Sequence, residues 1–153
     1  MICGGTLELP TRRDEPYDEA MALPAKLAAA GVRFCISDGG GPFTAPNARN
    51  LPYHAAMAAA YGLPKEEALK GVTLYAAQVL GVADRLGSLE PGKIADVIVT
   101  NGDPLEIATQ VEQVYIAGKA VEMETRQTRL FHKYDARPRG ANARKHTTKA
   151  AGG

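Results

Sequence analysis

The sequence predicts an α/β protein whose two halves are organised differently. Over residues 1–82, helical stretches ended by glycine alternate with short apolar strands, as is typical of a parallel α/β layer. Over residues 83–123, β-branched segments are separated by tight turns, which favours short antiparallel strands. The composition is that of a globular chain, because 45% of the 153 residues are hydrophobic, 23% are charged and the net charge is +1.

Several classes of protein are excluded by composition. No apolar run approaches the roughly 20 residues of a membrane span, and the first residues lack the basic and apolar regions of a signal peptide. Two cysteines, Cys3 and Cys35, are too few for a disulfide scaffold or a four-cysteine zinc site. We therefore expect a reduced, cytoplasmic setting in which the two thiols pack together.

The first half contains one strand between helices. Pro24 suits the first turn of a helix that runs to Ala30, and Gly31 suits its left-handed cap. Residues 32–36 are predicted to form a strand that stops at the glycine-rich loop 37–42. Further helices are predicted over residues 51–61, from Pro64 to Val72, and over residues 74–80 with Thr73 as the cap.

The second half is predicted to contain turns and β-strands. Pro91 and Gly92 fit the central positions of a type II turn. Strands are expected over residues 94–100, 111–116 and 120–123, with a hairpin at Gly118, and a closing helix over residues 125–134. The predicted organisation is therefore residues 1–82, strands within 83–123, a closing helix within 124–136, and a tail, 137–153.

The tail carries an uneven share of the charge. It holds five of the 18 basic residues and none of the 17 acidic ones, so the remaining 13 basic and 17 acidic residues sum to −4. It has no large apolar residue, which predicts a disordered basic end. A nucleic-acid arm is the alternative, but the absence of interleaved aromatic residues argues against it. We expect no nucleic-acid partner.

Asp38 is the strongest candidate for chemistry. It follows an apolar strand and precedes three glycines, and in parallel α/β folds the loops after the strands carry the active site. A carboxylate there could bind a metal or move a proton. The alternative is an aspartate that caps or turns a loop. The residues alone leave both interpretations open.

Other polar residues give weaker indications. His54, near a helix start, is expected to be a packed or hydrogen-bonded side chain rather than a ligand. Arg49 and Asn50 could offer donors to a substrate, although loop carbonyls are the favoured partners. Asp96 stands among packing residues and is interpreted as structural. No His-x-His or HExxH spacing is present.

A longer pattern is far more specific. Residues 50–73 read NLPYHAAMAAAYGLPKEEALKGVT, followed by AAQVLG at 76–81, DRLGSLEPGKIADVIV at 84–99 and GDP at 102–104. Over about residues 1–135 the chain resembles the carboxyl-terminal third of the amidohydrolase superfamily, particularly its imidazolonepropionase-like branch. The resemblance implies a TIM-like barrel flanked by a small β-sandwich. It also implies one or two divalent metals, most often zinc, that activate water to hydrolyse non-peptide, often cyclic, C–N bonds.

The resemblance assigns a role to Asp38. It matches the aspartate that ends the last barrel strand, binds the metal and accepts the proton of the water. Phe34 and its neighbours then correspond to the eighth barrel strand, Ile2–Cys3 to the seventh, and residues from Gly87 onward to the sandwich strands. The implied fold is therefore partial: the last strand–helix units of a barrel and the terminal strands of a sandwich.

The chain departs from the family pattern in its metal ligands. The family takes most of them from earlier barrel strands, which these residues do not include, and two strands cannot close an eight-stranded barrel. We expect a carboxyl-terminal fragment (a truncated gene, a misassigned start or a partial sequence) that binds no metal and is inactive alone. Its partners would be a small-molecule substrate in the complete enzyme and the missing barrel portion. The alternative is a non-catalytic remnant or interaction module whose strand edges pair with another chain.

Overall fold

The computed structural model describes residues 1–10, 12–39 and 45–135. The chain divides into two compact units, Met1–Val121 and Glu122–Gly153. The predicted tail and the glycine-rich loop beyond Gly39 lie outside the described residues. Within the described ranges, no helix combines the length and apolar character needed to cross a membrane.

Two short strands form the first sheet. β1 (Ile2–Cys3) pairs in parallel with β2 (Cys35–Ile36), with Ile2 opposite Cys35. The predicted strand over residues 32–36 is therefore too long at its start. The physical reason is that the N–H of Val32 donates to the carbonyl of Leu27 at 2.9 Å, which commits Val32 to the end of the preceding helix.

Four helices pack around this sheet, and two of them differ from prediction at one end. The helices are α1 (Glu19–Ala29), α2 (Leu51–Ala60, after a 3-10 turn at Ala45–Asn50), α3 (Lys65–Val72) and α4 (Leu74–Val79). The predicted start of α1 at Pro24 is wrong, because Pro24 is an interior, fully buried residue whose packing offsets the missing N–H. Thr73 precedes α4 but its hydroxyl donates to the carbonyl of Leu69 at 2.8 Å instead of capping α4.

The predicted glycine ends are confirmed. Gly31 has φ +69°, its N–H donates to the carbonyl of Ala28 at 3.0 Å, and the next N–H donates to Leu27. This pair of bonds is a Schellman motif, which only a residue tolerant of the left-handed region forms easily. Gly62 and Gly81 end α2 and α4 with the same two bonds. Local sequence therefore sets where these helices stop.

The core is built largely from small side chains. On the inner face of α2, Ala55 and Ala58 are completely buried. Small residues let the helices approach the sheet closely, so that a Cβ added at Gly71 would lie 3.2 Å from Ile36. The buried cluster consists of Cys3, Phe34, Ile36, Ala55, Ala58, Leu63, Ala68 and Leu105.

The second sheet is antiparallel, in the order β3 (Val97–Thr100), β4 (Val111–Ile116), β5 (Lys119–Ala120). The hairpin is confirmed, and its two turn residues, Ala117 and Gly118, have φ +50° and +76°. Asp96 holds this turn, because its Oδ1 accepts the N–H of Ala117 at 2.7 Å. The structural interpretation of Asp96 is therefore confirmed. β3 begins later than predicted because the N–H of Ile94 donates to Arg85.

The second unit contains α5 (Arg126–Asp135). Thr125 begins it, accepting the N–H of Thr128 at 3.1 Å on its hydroxyl. No residue of α5 is buried, and Leu130 and Phe131 are exposed.

We expect a pH-dependent contribution to stability from a hydrogen bond between α4 and α3. The Tyr75 hydroxyl donates to Glu67 at 2.5 Å, and this bond, helped by Lys70, lowers the pKa of the Glu67 carboxyl below its ordinary value of 4.5. A lowered folded-state pKa stabilises the protein above pH 4.5, and that contribution is lost as the pH falls through the folded pKa. Tyr75→Phe should therefore cost about 1 kcal/mol at pH 7 and less at pH 3.

Urea unfolding at the two pH values measures this difference. Tyr17→Phe is the matched control, since Tyr17 is largely exposed. An equal cost of Tyr75→Phe at both pH values would show that the ionised Glu67 carboxylate is not the partner that matters.

Candidate functional site

The candidate site lies where the two parallel strands end. Asp38 lies two residues after the end of β2, and Thr6 lies in the turn after β1. The N–H of Ser37 donates to the carbonyl of Cys3 at 2.7 Å, so the strand pairing extends to the residue before Asp38. This places Asp38 at the carboxyl edge of the sheet, where α/β folds carry their sites.

Three polar side chains meet at this edge. Asp38 Oδ1 lies 3.1 Å from Nε2 of His54, in the first turns of α2. On the other side of the ring, Nδ1 lies 2.9 Å from the hydroxyl of Thr6, which is also 3.0 Å from the backbone carbonyl of His54. Thr6 is 1% exposed, His54 5%, and the Asp38 side chain 14%. Only Asp38 is partly open to solvent.

The structure extends the sequence prediction in two ways. His54 is a buried, hydrogen-bonded side chain, as predicted, but its partner is the residue singled out for chemistry. Thr6 was not identified from sequence at all. Its only signal in the sequence is its place after Gly4 and Gly5, three residues beyond the end of β1.

Arg49 and Asn50 directly precede the helix that carries His54. Both end the 3-10 turn that leads into α2, where Arg49 is exposed and Asn50 is half-buried. Asn50 occupies the N-cap position of α2 without a side-chain capping bond. Their role in binding a substrate stays a prediction.

The two cysteines are buried free thiols. Burial raises the pKa of Cys3, and the neighbouring Cys35 thiol raises it further, while the amino terminus lowers it. A raised pKa keeps the thiol protonated and weakly nucleophilic. The interpretation of Cys3 and Cys35 as packed thiols is confirmed.

The described residues do not by themselves form a metal site. In residues 1–10, 12–39 and 45–135, no group of three or more His, Cys, Asp or Glu side chains could hold a metal ion. Catalytic zinc takes three protein ligands and a water. Asp38 can supply one such ligand, and the imidazole nearest to it is already hydrogen-bonded to the carboxylate.

Comparison with known proteins identifies the family. The sequence model of the amidohydrolase family matches residues 4–121. An imidazolonepropionase of Pseudomonas aeruginosa is 44% identical over 84 residues, which cover 54% of this chain and 21% of that protein. The chain therefore belongs to the amidohydrolase family, and it is similar to imidazolonepropionases within it.

Solved structures support the same family assignment. An amidohydrolase from Thermotoga maritima is 35% identical, with a TM-score of 0.60 over 75% of this chain and 30% of that one. An adenosine deaminase from Xanthomonas campestris with bound zinc is 27% identical, with a TM-score of 0.52 over 72% and 32%. The chain thus spans about a third or less of the proteins it matches, and the fold described is an α/β arrangement with two small sheets.

Proposed function

We propose that this chain supplies the last strand–helix units and terminal sandwich strands of a metal-dependent hydrolase acting on non-peptide, often cyclic, C–N bonds. The observation that carries the proposal is the place of Asp38, partly open to solvent at the carboxyl end of β2 in a chain of the amidohydrolase family. In this proposal β1 and β2 are the seventh and eighth strands of the barrel.

The role proposed for Asp38 follows from its chemistry. A divalent metal, most often zinc in this family, would polarise the scissile bond and acidify water when bound. Asp38 would take the proton from the attacking water and return it to the leaving nitrogen. A carboxylate near the metal can also serve as one of its ligands. Arg49 and Asn50 are proposed as substrate contacts at the rim.

The remaining ligands must come from other polypeptide. The described residues hold no three-ligand group, and the matches cover only 21% of the Pseudomonas enzyme and 30% of the Thermotoga chain. Within the described residues, β1 and β2 pair only with each other, and Ile2 of β1 is 62% exposed. We therefore propose that the barrel portion absent from these residues pairs with this sheet, and that the chain alone is inactive.

The decisive experiment is to assemble the whole enzyme. The nucleotide sequence upstream of the Met1 codon should continue in frame through a strand followed by His-x-His, and expression of that frame gives what we call the completed enzyme. It should contain zinc by elemental analysis and hydrolyse a member of a panel of cyclic amides that includes imidazolonepropionate. An upstream region without barrel strands, or a metal-free completed enzyme, would refute the proposal.

A second candidate function is an interaction module without catalysis. Two observations on the described residues favour it: they contain no group of three possible metal ligands, and β1 and β2 each pair along one edge only. Both proposals expect the isolated chain to bind no stoichiometric zinc, so the upstream sequence separates them. Tight zinc binding by the isolated chain in a calorimetric titration would contradict both. For either function we propose a cytoplasmic setting, where buried free thiols stay reduced.

The fragment proposal also predicts the solution behaviour of the isolated chain. Unpaired strand edges and exposed apolar residues favour association between chains. We expect oligomers or aggregates of the 153-residue chain by size-exclusion chromatography with light scattering. A monodisperse monomer that melts cooperatively would count against the fragment proposal.

A further inference from the structure

Asp38 is held by a buried polar connection that begins in a different strand. Thr6, after β1, contacts His54 of α2, and His54 contacts Asp38, after β2. Thr6 and His54 are almost completely buried. A folded protein loses stability when a buried polar group is left without its hydrogen-bond partner. The connection therefore constrains where one oxygen of the Asp38 carboxylate lies.

We propose that Thr6 and His54 are positioning residues for Asp38. Thr6 fixes the imidazole ring, and the Nε2–H of His54 holds Oδ1 of the carboxylate. With Oδ1 held by His54, Oδ2 is in this proposal the oxygen that takes the proton of the attacking water. The inference rests on the proposed function, because it assigns the two oxygens of Asp38 different tasks in that reaction: Oδ1 orients the carboxylate and Oδ2 takes the proton.

The hydrogen bonds fix where the ring carries its proton. A carboxylate only accepts, so the contact with Asp38 requires a hydrogen on Nε2. In the neutral ring, Nδ1 accepts the Thr6 hydroxyl at 2.9 Å. In the protonated ring, Nδ1–H donates to that hydroxyl, which then donates to the His54 carbonyl at 3.0 Å. The Thr6 hydroxyl can make the hydrogen bonds of both arrangements because it can donate and accept. A valine side chain has nearly the same shape but can do neither.

The connection is anchored to the packed core. Thr6 lies within hydrogen-bond distance of both the ring and the backbone carbonyl of His54, so it ties the turn after β1 to α2. Ala55 and Ala58, on the same helix, are completely buried in the core. The orientation of Asp38 is therefore set by a packed helix, and a site group held in this way keeps its geometry.

The first test uses the 153-residue chain, in the associated form expected above, and needs no metal. Solid-state nitrogen-15 NMR of histidine-labelled protein reports which ring nitrogen carries the hydrogen, and the variant His54→Gln assigns the His54 signal. We expect hydrogen on Nε2 in the wild-type chain. Thr6→Val should accelerate exchange of that hydrogen about tenfold, while Thr6→Ser should change it less than about twofold. A wild-type ring protonated on Nδ1 alone, or equal exchange in the two variants, would overturn the proposal.

The second test uses the completed enzyme and separates this inference from the proposed function. Thr6→Val and His54→Ala should each lower kcat about tenfold with little change in KM, because they disturb Asp38 rather than substrate binding. Thr6→Ser and His54→Gln, which keep a hydroxyl and an N–H donor, should recover part of the loss. If the wild-type enzyme is inert and free of metal, the proposed function fails. If it is active and both disruptive variants match it, only this inference fails.

Discussion

Asp38→Asn is expected to lower kcat/KM of the completed enzyme by about 10²–10⁴-fold. An amide cannot accept the proton of the attacking water, and it is a poor metal ligand compared with a carboxylate. The fold should change little, because the amide oxygen can still accept the Nε2–H of His54 at the distance of 3.1 Å seen for Oδ1. Steady-state hydrolysis and zinc analysis of the purified variant measure the two effects.

Asp14→Asn provides the matched control for this substitution. It changes the same chemical group in a side chain that is 78% exposed and lies 3.8 Å from Arg12. We expect it to leave hydrolysis and zinc content unchanged. The melting temperature of Asp38→Asn should lie within about 3 °C of wild type, so that lost activity is not lost structure. Activity of Asp38→Asn within twofold of wild type would remove Asp38 from the mechanism.

The two parts of the site differ in how far sequence could reveal them. Asp38 has a local signal, an apolar strand followed by an acidic residue and glycines, and the resemblance to amidohydrolases assigns it the same role. Thr6 and His54 are 48 residues apart, and their contact depends on the register of β1 against β2 and on how α2 packs. No local spacing encodes that register, so the connection appears only in three dimensions.

In the fold, too, the features set by local bonds were predictable and those set by tertiary contacts were not. The ends of α1, α2 and α4 were predictable because a glycine in the left-handed region ends a helix through bonds within six residues. The starts of β2 and β3 were not, because the extent of a strand depends on its partner. In both cases an N–H that would have lengthened the strand is bonded elsewhere, at Val32 and at Ile94. Pro24 misled the prediction of α1 because its burial is a tertiary property.

Gly87, within the family pattern, is expected to be the most sensitive glycine to substitution. It has φ +92°, and an added Cβ would lie 2.7 Å from that of Ala77 and 3.0 Å from the Cα of Leu74. Backbone strain costs about 1–3 kcal/mol and overpacking a similar amount. Gly87→Ala should therefore lower the free energy of unfolding by about 2–6 kcal/mol, a large part of the stability of a domain. Urea unfolding of the completed enzyme measures the loss.

Gly92→Ala separates the two contributions. Gly92 has φ +91°, almost the same conformation, but nothing lies within 4 Å of its added Cβ, so only strain remains. We expect the cost at Gly92 to be about half of that at Gly87 or less. The double variant Gly87→Ala with Ala77→Gly removes the 2.7 Å contact and should recover about 1 kcal/mol beyond additivity. Equal costs at the two glycines, with no recovery, would mean that Gly87 is required for its conformation alone and not for its approach to α4.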